Sequence, residues 1–227
     1  MALISVIDYG MGNLSSVSKA LESCGGVRVV ITSSAKKILS SDGVVLPGVG
    51  AFDAAVRNLK KSGLWKILPR LICDKPFLGI CLGFQLLYEG SEEGKEAGLG
   101  ILKGKIRLFR SRRYRNLRVP HIGWNNVEYK KNGTCPPAML SGIPSGTYFY
   151  FVHSYYAPLD GVRGEESVFG NMRGEITRCH TTYGDIKFCS AVSFNSGGGR
   201  TFACQFHPEK SSESGLRVIK NFVSAVK

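Results

Sequence analysis

One cysteine in this sequence stands in a pattern that suits a nucleophile. Cys81 lies between two glycines in the run GICLG, residues 79–83, where an apolar strand-like segment gives way to a predicted helix whose apolar spacing continues through Phe84, Leu86, Leu87 and Tyr88. A strand, a sharp turn and a helix form the cysteine version of the nucleophile elbow, in which the glycines leave room for the chain to reverse. The helix N-terminus would favour thiolate over thiol. The alternative is that Cys81 is a small buried apolar residue, as free cysteines often are.

A histidine and a carboxylate downstream supply the groups that such a thiol needs. A base activates the thiol, and a third group fixes the tautomer of an imidazole base. His207 and Glu209 stand in the run QFHPEKS, directly after a strand-like segment at residues 201–206. We therefore predict a catalytic triad of Cys81, His207 and Glu209, although a lone histidine is more often a structural residue.

A glycine-flanked turn, PGVGAF at residues 47–52, follows another apolar strand. Such a turn before a helix points free backbone N–H groups outward. We predict that the N–H groups around Gly48, Val49 and Gly50, with that of Leu82, form an oxyanion hole, and that this loop switches activity if its peptides reorient. An ordinary strand-to-helix loop is the alternative, which the stretch in isolation favours.

The elements that must position these residues alternate between strands and helices up to the cysteine. We predict strands at residues 2–8, 27–32, 43–46 and just before Cys81, and helices at residues 13–24, 33–39, 52–59, 64–71 and 214–226. This alternation predicts an α/β fold with a mostly parallel, doubly wound sheet flanked by helices. In such sheets the ligand site lies outside the carboxyl ends of the strands, where both glycine-rich turns fall.

The second half of the chain changes to short strands separated by glycine and asparagine turns. We predict them at residues 106–109, 123–129, 147–153, 175–182, 186–195 and 201–206. We interpret them as antiparallel extensions that return the chain to the main sheet.

The bulk composition indicates one domain in a reducing compartment. With 227 residues, 43% of them apolar, the chain can form one sizeable core, and we predict a single domain over residues 1–227. The sequence has no apolar run long enough to cross a membrane and no signal peptide, so we expect a cytoplasmic protein without a membrane partner. Seven cysteines without a C-x-x-C pair argue against disulfides and a zinc site, and we expect neither metal nor cofactor.

A net charge of +13 is unusual for a small metabolic enzyme. The basic stretch at residues 103–118 is its densest patch and holds no acidic residue; its cations are Lys103, Lys105, Arg107, Arg110, Arg112, Arg113, Arg115 and Arg118. A basic cluster with aromatic neighbours can contact nucleic acid. A solvated face, or one that meets an acidic partner, explains it more simply, and we do not expect a nucleic-acid partner.

Together the motifs resemble the class I glutamine amidotransferases, whose glutaminase domains carry a Cys-His-Glu triad in this order. Nearly the whole chain is similar to the glutaminase subunits of imidazole glycerol phosphate synthases, through VIDYGMGNL at 6–14, PGVGAF at 47–52, GICLGFQLL at 79–87, PHIGWN at 120–125, FVHSY at 151–155 and QFHPEKS at 205–211. The resemblance implies hydrolysis of glutamine to glutamate and ammonia. The ammonia would pass through a channel to a cyclase (synthase) subunit of a heterodimer, which makes imidazole glycerol phosphate and an aminoimidazole carboxamide ribotide in histidine biosynthesis.

The resemblance also implies roles for residues outside the triad. The residues expected to contact substrate glutamine are Gln85, Glu93, Ser154 and Tyr155. Those expected to face the partner are Asn13, Trp124 and Lys210, although Trp124 has a buried core position as its alternative. His153 has no acid at short spacing, so we give it a structural or substrate-lining role, and His121 and His180 stay unassigned.

Two other functions stay open. The same glutaminase could serve a synthase that aminates sugars for surface polysaccharides, because the stretches around Lys95, at residues 110–118 and at residues 158–173 differ from the family pattern. A non-enzymatic or peptidase-like cysteine-elbow protein that binds RNA is the alternative from another class. Glu209 beside His207 counts against that alternative.

Overall fold

A computed structural model describes residues 1–110, 117–129, 138–159, 176–196 and 198–226 of the chain. Its strands are β1 (Ala2–Ile7), β2 (Val27–Thr32), β3 (Gly43–Leu46), β4 (Phe77–Ile80), β5 (Tyr88–Ser91), β6 (Leu102–Leu108), β7 (His121–Val127), β8 (Thr147–His153), β9 (Tyr155–Pro158), β10 (Thr177–Tyr183), β11 (Ile186–Ser196) and β12 (Gly199–Cys204). Its α-helices are α1 (Leu14–Ser23), α2 (Ala35–Ser40), α3 (Phe52–Lys61), α4 (Leu68–Asp74), α5 (Leu82–Gln85) and α6 (Ser212–Val226). Short 3-10 turns occupy Ala138–Leu140 and Pro208–Lys210.

A ten-stranded sheet runs through the described structure in the order β2-β1-β3-β4-β12-β11-β9-β6-β5, with β10 paired to β11. The strands from β2 to β12 in this order are parallel to one another. From β11 onward the sheet becomes partly antiparallel, since β11 pairs with β12, β9 and β10 in that sense. The predicted α/β class, a mostly parallel sheet with antiparallel extensions, is confirmed.

Helices cover both faces of the parallel part because its strands send apolar side chains to both sides. In β3, Val44 and Leu46 pack into one core with α3 and α4, whereas Val45 packs into the other with α1 and α6. β3 and β4 are buried along their whole length, as expected for parallel strands covered on both faces. The sheet therefore opens to solvent mainly at its ends, where the predicted site lies.

The last strand of the sheet corrects one prediction. We expected residues 201–206 to be an antiparallel extension, but β12 lies next to β4 and parallel to it, with Cys204 opposite Ile80. Because parallel neighbours share their carboxyl ends, this pairing carries the turn that follows β12 to the cysteine elbow. The apolar pattern of β12 does not determine which strand it pairs with, because that pairing depends on packing across the whole sheet.

Two further elements differ from expectation. The helix after Cys81 is a single turn, α5, and Tyr88, predicted to continue its spacing, begins strand β5 instead. β7 and β8 pair with each other as a separate two-stranded antiparallel sheet, called the β7–β8 hairpin below.

Residues 111–116 of the basic stretch and most of the predicted 158–173 insertion lie outside the described residues. The single-domain boundary stays a prediction.

Candidate active site

Cys81 occupies the sharp turn between β4 and α5. Its φ of 53° and ψ of −104° lie in a region that residues with a side chain rarely adopt. A Cβ on Gly83 would lie 1.9 Å from the Leu46 carbonyl oxygen, and one on Gly79 would lie 2.9 Å from that of Gly83. Both glycines are therefore required by close backbone approach. The helix that follows, α5, has only four residues, which is shorter than we predicted. Its dipole therefore stabilises a thiolate less than that of a longer helix.

His207 and Glu209 form a buried pair on the turn after β12. His207 Nδ1 lies 2.8 Å from Glu209 Oε1, and their side chains are 3% and 1% exposed. A carboxylate only accepts, so Nδ1 carries a proton and donates it to Glu209. The other ring nitrogen, Nε2, is buried and has no partner of regular hydrogen-bond geometry among the described residues.

The charge state of His207 follows from its neighbours. Burial alone would lower the pKa of His207, but contacts with Cys81 and Glu209 outweigh burial and raise that pKa to about 10. At neutral pH the imidazole is therefore protonated between two groups that carry or can carry negative charge. That arrangement suits a thiolate–imidazolium pair, the reactive form of a nucleophilic cysteine.

Cys81 opens into a cleft of about 320 Å³. The cleft brings together residues from the elbow, the turn after β3, the loop after β5 and the junction of β8 and β9: Val49, Gly50, Cys81, Leu82, Gln85, Glu93, Pro120, Val152, His153, Ser154 and Tyr155. All four residues expected to contact glutamine line this cleft. Gly48 is not among its lining residues and lies beneath the elbow, where a Cβ would meet Tyr9 Oη at 2.5 Å.

Comparisons with known proteins agree with this geometry. The family model described as glutamine amidotransferase class-I matches residues 5–226. The imidazole glycerol phosphate synthase subunit HisH of Microcystis aeruginosa is 44% identical, covering 100% of this chain and 97% of that protein. The HisH subunit of Trichodesmium erythraeum is also 44% identical, covering 100% and 96%. The chain belongs to the HisH family of class I glutamine amidotransferases. The resemblance recognised from its motifs is thereby confirmed.

Solved structures support the fold of this amidotransferase. PurLQS from Thermotoga maritima superposes with a TM-score of 0.62 at 17% identity, covering 100% of each chain. A structure described as a glutamine amidotransferase gives a TM-score of 0.62 at 15% identity, covering 98% of each chain. At such identities the likeness shows a shared fold and nothing finer.

The turn after β3 places its backbone donors at the cleft of the amidotransferase. The N–H groups of Val49 and Gly50 have no acceptor in the described part of the chain. The Leu82 N–H, in contrast, donates to the Gly48 carbonyl at 3.3 Å. One expected oxyanion donor is thus engaged within the protein. Tyr9, which sequence reasoning missed, fastens this turn by donating from its hydroxyl to the Pro47 carbonyl at 3.0 Å.

The loop after β5 is clamped against the start of α3. Glu93 Oε2 accepts from the Phe52 N–H at 2.8 Å, and Asp53 accepts from the N–H groups of Lys95 and Glu96 at 3.0 Å each. A Cβ on Gly94 would lie 2.1 Å from Asp53 Oδ1, so the clamp needs glycine there. The clamp holds the Glu93 carboxylate at the cleft, and sequence analysis missed it because Asp53 and Gly94 are far apart along the chain.

The residues expected to face a partner have different surroundings. Trp124 is 52% exposed on the β7–β8 hairpin, beside the exposed Ile122 and Tyr148, so it is not a core tryptophan. Lys210 Nζ lies 5.8 Å from the ring centroid of Tyr150 on the same hairpin. Asn13 caps α1 by accepting from the Ser16 N–H at 3.4 Å, a local structural contact.

Two further expectations concern the surface and bound ions. None of the described helices is long and apolar enough to span a membrane. Among the described residues, no three histidine, cysteine or carboxylate side chains come together as a metal ion would require.

In the described part of the basic stretch, Arg110 pairs with Glu92 at 3.1 Å at the surface. Arg112, Arg113 and Arg115 lie outside the described residues.

Proposed function

We propose that this chain is the glutaminase subunit of an imidazole glycerol phosphate synthase and that it hydrolyses glutamine with Cys81, His207 and Glu209. The observation that carries the proposal is the elbow itself: Cys81 opens into a cleft that holds the Glu93 carboxylate, and His207 of the buried His207–Glu209 pair is close enough to Cys81 for the sulfur to raise its pKa. Free glutamine carries an α-ammonium group, which an acid such as Glu93 binds. The full-length identity to HisH subunits supports the same assignment.

The chemistry follows the charge state of the pair. The Cys81 thiolate attacks the carbon of the glutamine side-chain amide, and the carbonyl electrons move to oxygen as a tetrahedral oxyanion. When the oxyanion collapses, the C–N bond breaks and the His207 imidazolium gives its proton to the leaving ammonia. Water then attacks the thioester while His207 takes one of its protons, and the C–S bond breaks. Glutamic acid leaves and loses its proton to solvent as glutamate, and the Cys81 thiolate and the His207 imidazolium are regenerated.

The backbone around Gly48 supports a partner-dependent rate. Val49 and Gly50 offer free N–H groups at the cleft, but the Leu82 N–H must leave the Gly48 carbonyl before it can bind an oxyanion. Removing one oxyanion donor typically lowers kcat on the order of a hundredfold. We therefore expect low activity for the isolated chain and a large increase when a partner reorients the peptide.

The partner of this proposal is a synthase (cyclase) subunit that receives the ammonia, and the β7–β8 hairpin is the surface offered to it. The hairpin exposes Trp124 and also contributes Val152 to the cleft. The surface offered to the partner and part of the cleft wall therefore lie on the same hairpin. The same proposal places the protein in the cytoplasm and in histidine biosynthesis. The HisH relatives favour this destination over a sugar-aminating synthase, and the buried His207–Glu209 pair weighs against a non-enzymatic RNA-binding protein.

The test is glutamate release from glutamine by the purified chain, alone and with a cyclase subunit of imidazole glycerol phosphate synthase plus its ribotide substrate. We expect slow release alone and at least about a hundredfold stimulation in the complex, from completion of the oxyanion hole. Cys81→Ala should abolish release in both conditions. Equal rates with and without partner would contradict the coupling, and release by the Cys81→Ala variant would contradict the mechanism.

A further inference from the structure

A continuous row of hydrogen-bonded polar side chains, linked at one point by the backbone carbonyl of Tyr155, joins the β7–β8 hairpin to the Cys81 sulfur. Starting at the sulfur, Gln205 Nε2 lies 3.6 Å from Cys81 Sγ, and Gln205 Oε1 lies 2.9 Å from Gln85 Nε2. Gln85 Nε2 also reaches the Tyr155 carbonyl oxygen at 3.1 Å. These groups are buried, with Gln205 at 0% and Gln85 at 5% exposure.

Two histidines continue the row away from the sulfur. His153 Nδ1 lies 2.7 Å from the same Tyr155 carbonyl, and His153 Nε2 lies 3.1 Å from His121 Nδ1. His121 Nε2 lies 3.3 Å from the Asn125 side-chain nitrogen, which also donates to the Thr182 carbonyl at 3.0 Å. Both rings are buried, at 3% and 6% exposure. Burial lowers the pKa of His121 to about 4 and that of His153 to about 3, so both are neutral at pH 7.

The Tyr155 carbonyl fixes the direction of every bond in the row. A carbonyl only accepts, so His153 Nδ1 and Gln85 Nε2 both donate to it. The neutral His153 then accepts at Nε2 from His121 Nδ1, and His121 accepts at Nε2 from the amide of Asn125. On the other side, the second N–H of Gln85 requires an acceptor, which is Gln205 Oε1. Gln205 is left with its amide nitrogen toward the sulfur.

We propose that Gln205 is a further catalytic residue that donates to the Cys81 sulfur, and that His153 and His121 are positioning residues that fix Gln85 through the Tyr155 carbonyl. A donor aimed at sulfur favours the thiolate over the thiol and fixes its direction of attack. Holding Gln85 at the cleft keeps the substrate amide in line with that sulfur. The expected changes in KM rest on the proposed glutaminase function. The expected change in the reactivity of the Cys81 sulfur does not, because it can be measured without glutamine turnover.

The sulfur end is tested with Gln205→Met and Gln205→Glu. Methionine matches the volume of glutamine without any N–H, and glutamate keeps an acceptor for Gln85 but places an oxygen at the sulfur. Alkylation of Cys81 by iodoacetamide at pH 7, followed by mass spectrometry of its peptide, reads the reactive thiolate without glutamine. We expect about tenfold slower alkylation in both variants, as for the loss of one charge-assisted hydrogen bond.

The histidine end is tested by a pair of substitutions at one position. Asparagine at 153 can still donate to the Tyr155 carbonyl from the place of Nδ1, whereas leucine cannot. In the synthase complex, His153→Leu should raise KM for glutamine roughly tenfold, since the buried hydrogen bond that fixes the Tyr155 carbonyl, to which Gln85 donates, is lost. His153→Asn should restore KM to within about threefold of wild type. His180→Asn, a histidine of β10 that bonds Glu128 outside the row, should leave KM and kcat unchanged.

The alkylation rates test the donor role of Gln205 independently of the proposed glutaminase function. Slow alkylation in both Gln205 variants with an unchanged melting temperature supports the donor role, even if the wild-type chain releases no glutamate. Wild-type alkylation rates in folded Gln205→Met and Gln205→Glu overturn it. Equal KM values for His153→Leu and wild type, or no rescue by a folded His153→Asn, overturn the positioning role.

Discussion

At the scale of single residues, the site depends on a backbone conformation that its neighbours make possible. Cys81 holds a positive φ because Gly79 and Gly83 allow the strand, the turn and the following helix to touch. His207 holds a proton because Cys81 and Glu209 outweigh its burial. Geometry and charge are thus both set by residues within a short distance of the sulfur.

Gly83→Ala tests the packing of the elbow. The added Cβ would lie 1.9 Å from the Leu46 carbonyl oxygen, so β3 and α5 must separate. We expect a loss of about 2–4 kcal/mol in the free energy of unfolding and glutaminase activity below about 1% of wild type.

Urea unfolding and glutamate release measure the two effects, with Gly63→Ala as the control. Gly63 also has a positive φ, of 75°, but a Cβ there would meet no atom within 4 Å. Its substitution should cost only about 1–2 kcal/mol of backbone strain and leave activity intact. A Gly83→Ala variant as active as Gly63→Ala would show that the elbow is not closely packed.

Glu209→Gln tests the charge on His207. In the wild type the pKa of His207 is about 10, so the proton given to ammonia is present at lower pH and is lost as the pH rises through that value. Removing the Glu209 charge lowers the pKa of His207, which moves the alkaline fall of kcat to lower pH.

The measurement is kcat against pH in the synthase complex, with the exposed Glu213→Gln as the control. We expect the alkaline limb of Glu209→Gln to shift by at least about one pH unit and kcat near neutrality to fall roughly tenfold or more. Coincident profiles for Glu209→Gln and wild type would contradict the role of the pair.

Sequence motifs predict the residues of the proposed triad but not the residues that hold them in place. Cys81, His207 and Glu209 stand in runs whose spacing indicates their chemistry. Gln205, His121 and Asp53 act through partners that lie far away along the chain. A signal for Gln205 existed, because a glutamine that interrupts the apolar run before His207 must find hydrogen-bond partners when buried.

At the scale of elements, the β7–β8 hairpin buries two neutral histidines against each other. His121 lies opposite His153 in its register, and their pKa values are lowered to about 4 and 3, from the usual 6.5, by burial first. Because both groups bind protons more weakly when folded, their contribution to stability is full above pH 6.5. It is lost as the pH falls from there toward the folded values.

His153→Asn tests this dependence. As the pH falls below 6.5, each buried neutral histidine lowers the free energy of unfolding by up to about 1.4 kcal/mol per pH unit, or by about 2 kcal/mol between pH 6.5 and pH 5. Urea unfolding at pH 7 and pH 5 should show a smaller loss of stability in His153→Asn than in wild type. The opposite order, or equal losses in the two proteins, would mean that His153 is charged in the folded protein.

Element types were predictable where local pattern decides them, and pairings were not. The spacing of apolar residues indicated α1, α3 and α6, and the strands of the parallel sheet. The strand β5 was missed because its residues YEGS carry no strand pattern and are held by pairing with β6. The parallel position of β12 beside β4 depends on packing across the whole sheet, which no local signal reports.

At the scale of the whole molecule, the sheet gathers the site at the carboxyl ends of β3 and β4 and the turn after β12. The cleft then lies beside the β7–β8 hairpin, whose outer face exposes Ile122, Trp124 and Tyr148 at 60%, 52% and 58%. An aromatic anchor on an exposed apolar face is typical of the centre of a protein interface. Partner binding at this face would act directly on an element that lines the cleft.

Trp124→Ala tests that surface. We expect the Kd for the synthase subunit to rise about 10- to 100-fold, as for the loss of an aromatic interface anchor, with no change in melting temperature beyond a few degrees. Titration calorimetry measures the Kd, and Leu216→Ala, an exposed apolar residue of α6, serves as the control. Equal affinity of Trp124→Ala and Leu216→Ala for the synthase subunit would show that the subunit does not bind at Trp124.

Covalent labelling of the nucleophile directly tests whether Cys81 attacks glutamine. A chloroketone analogue of glutamine alkylates a nucleophile held at the substrate amide, and peptide mapping by mass spectrometry identifies the labelled residue. We predict a label on Cys81 alone, slowed by excess glutamine, although Cys24 and Cys73 are more exposed. Labelling of Cys24 or Cys73 with Cys81 unmodified, or labelling that glutamine does not slow, would contradict a glutaminase site at this elbow.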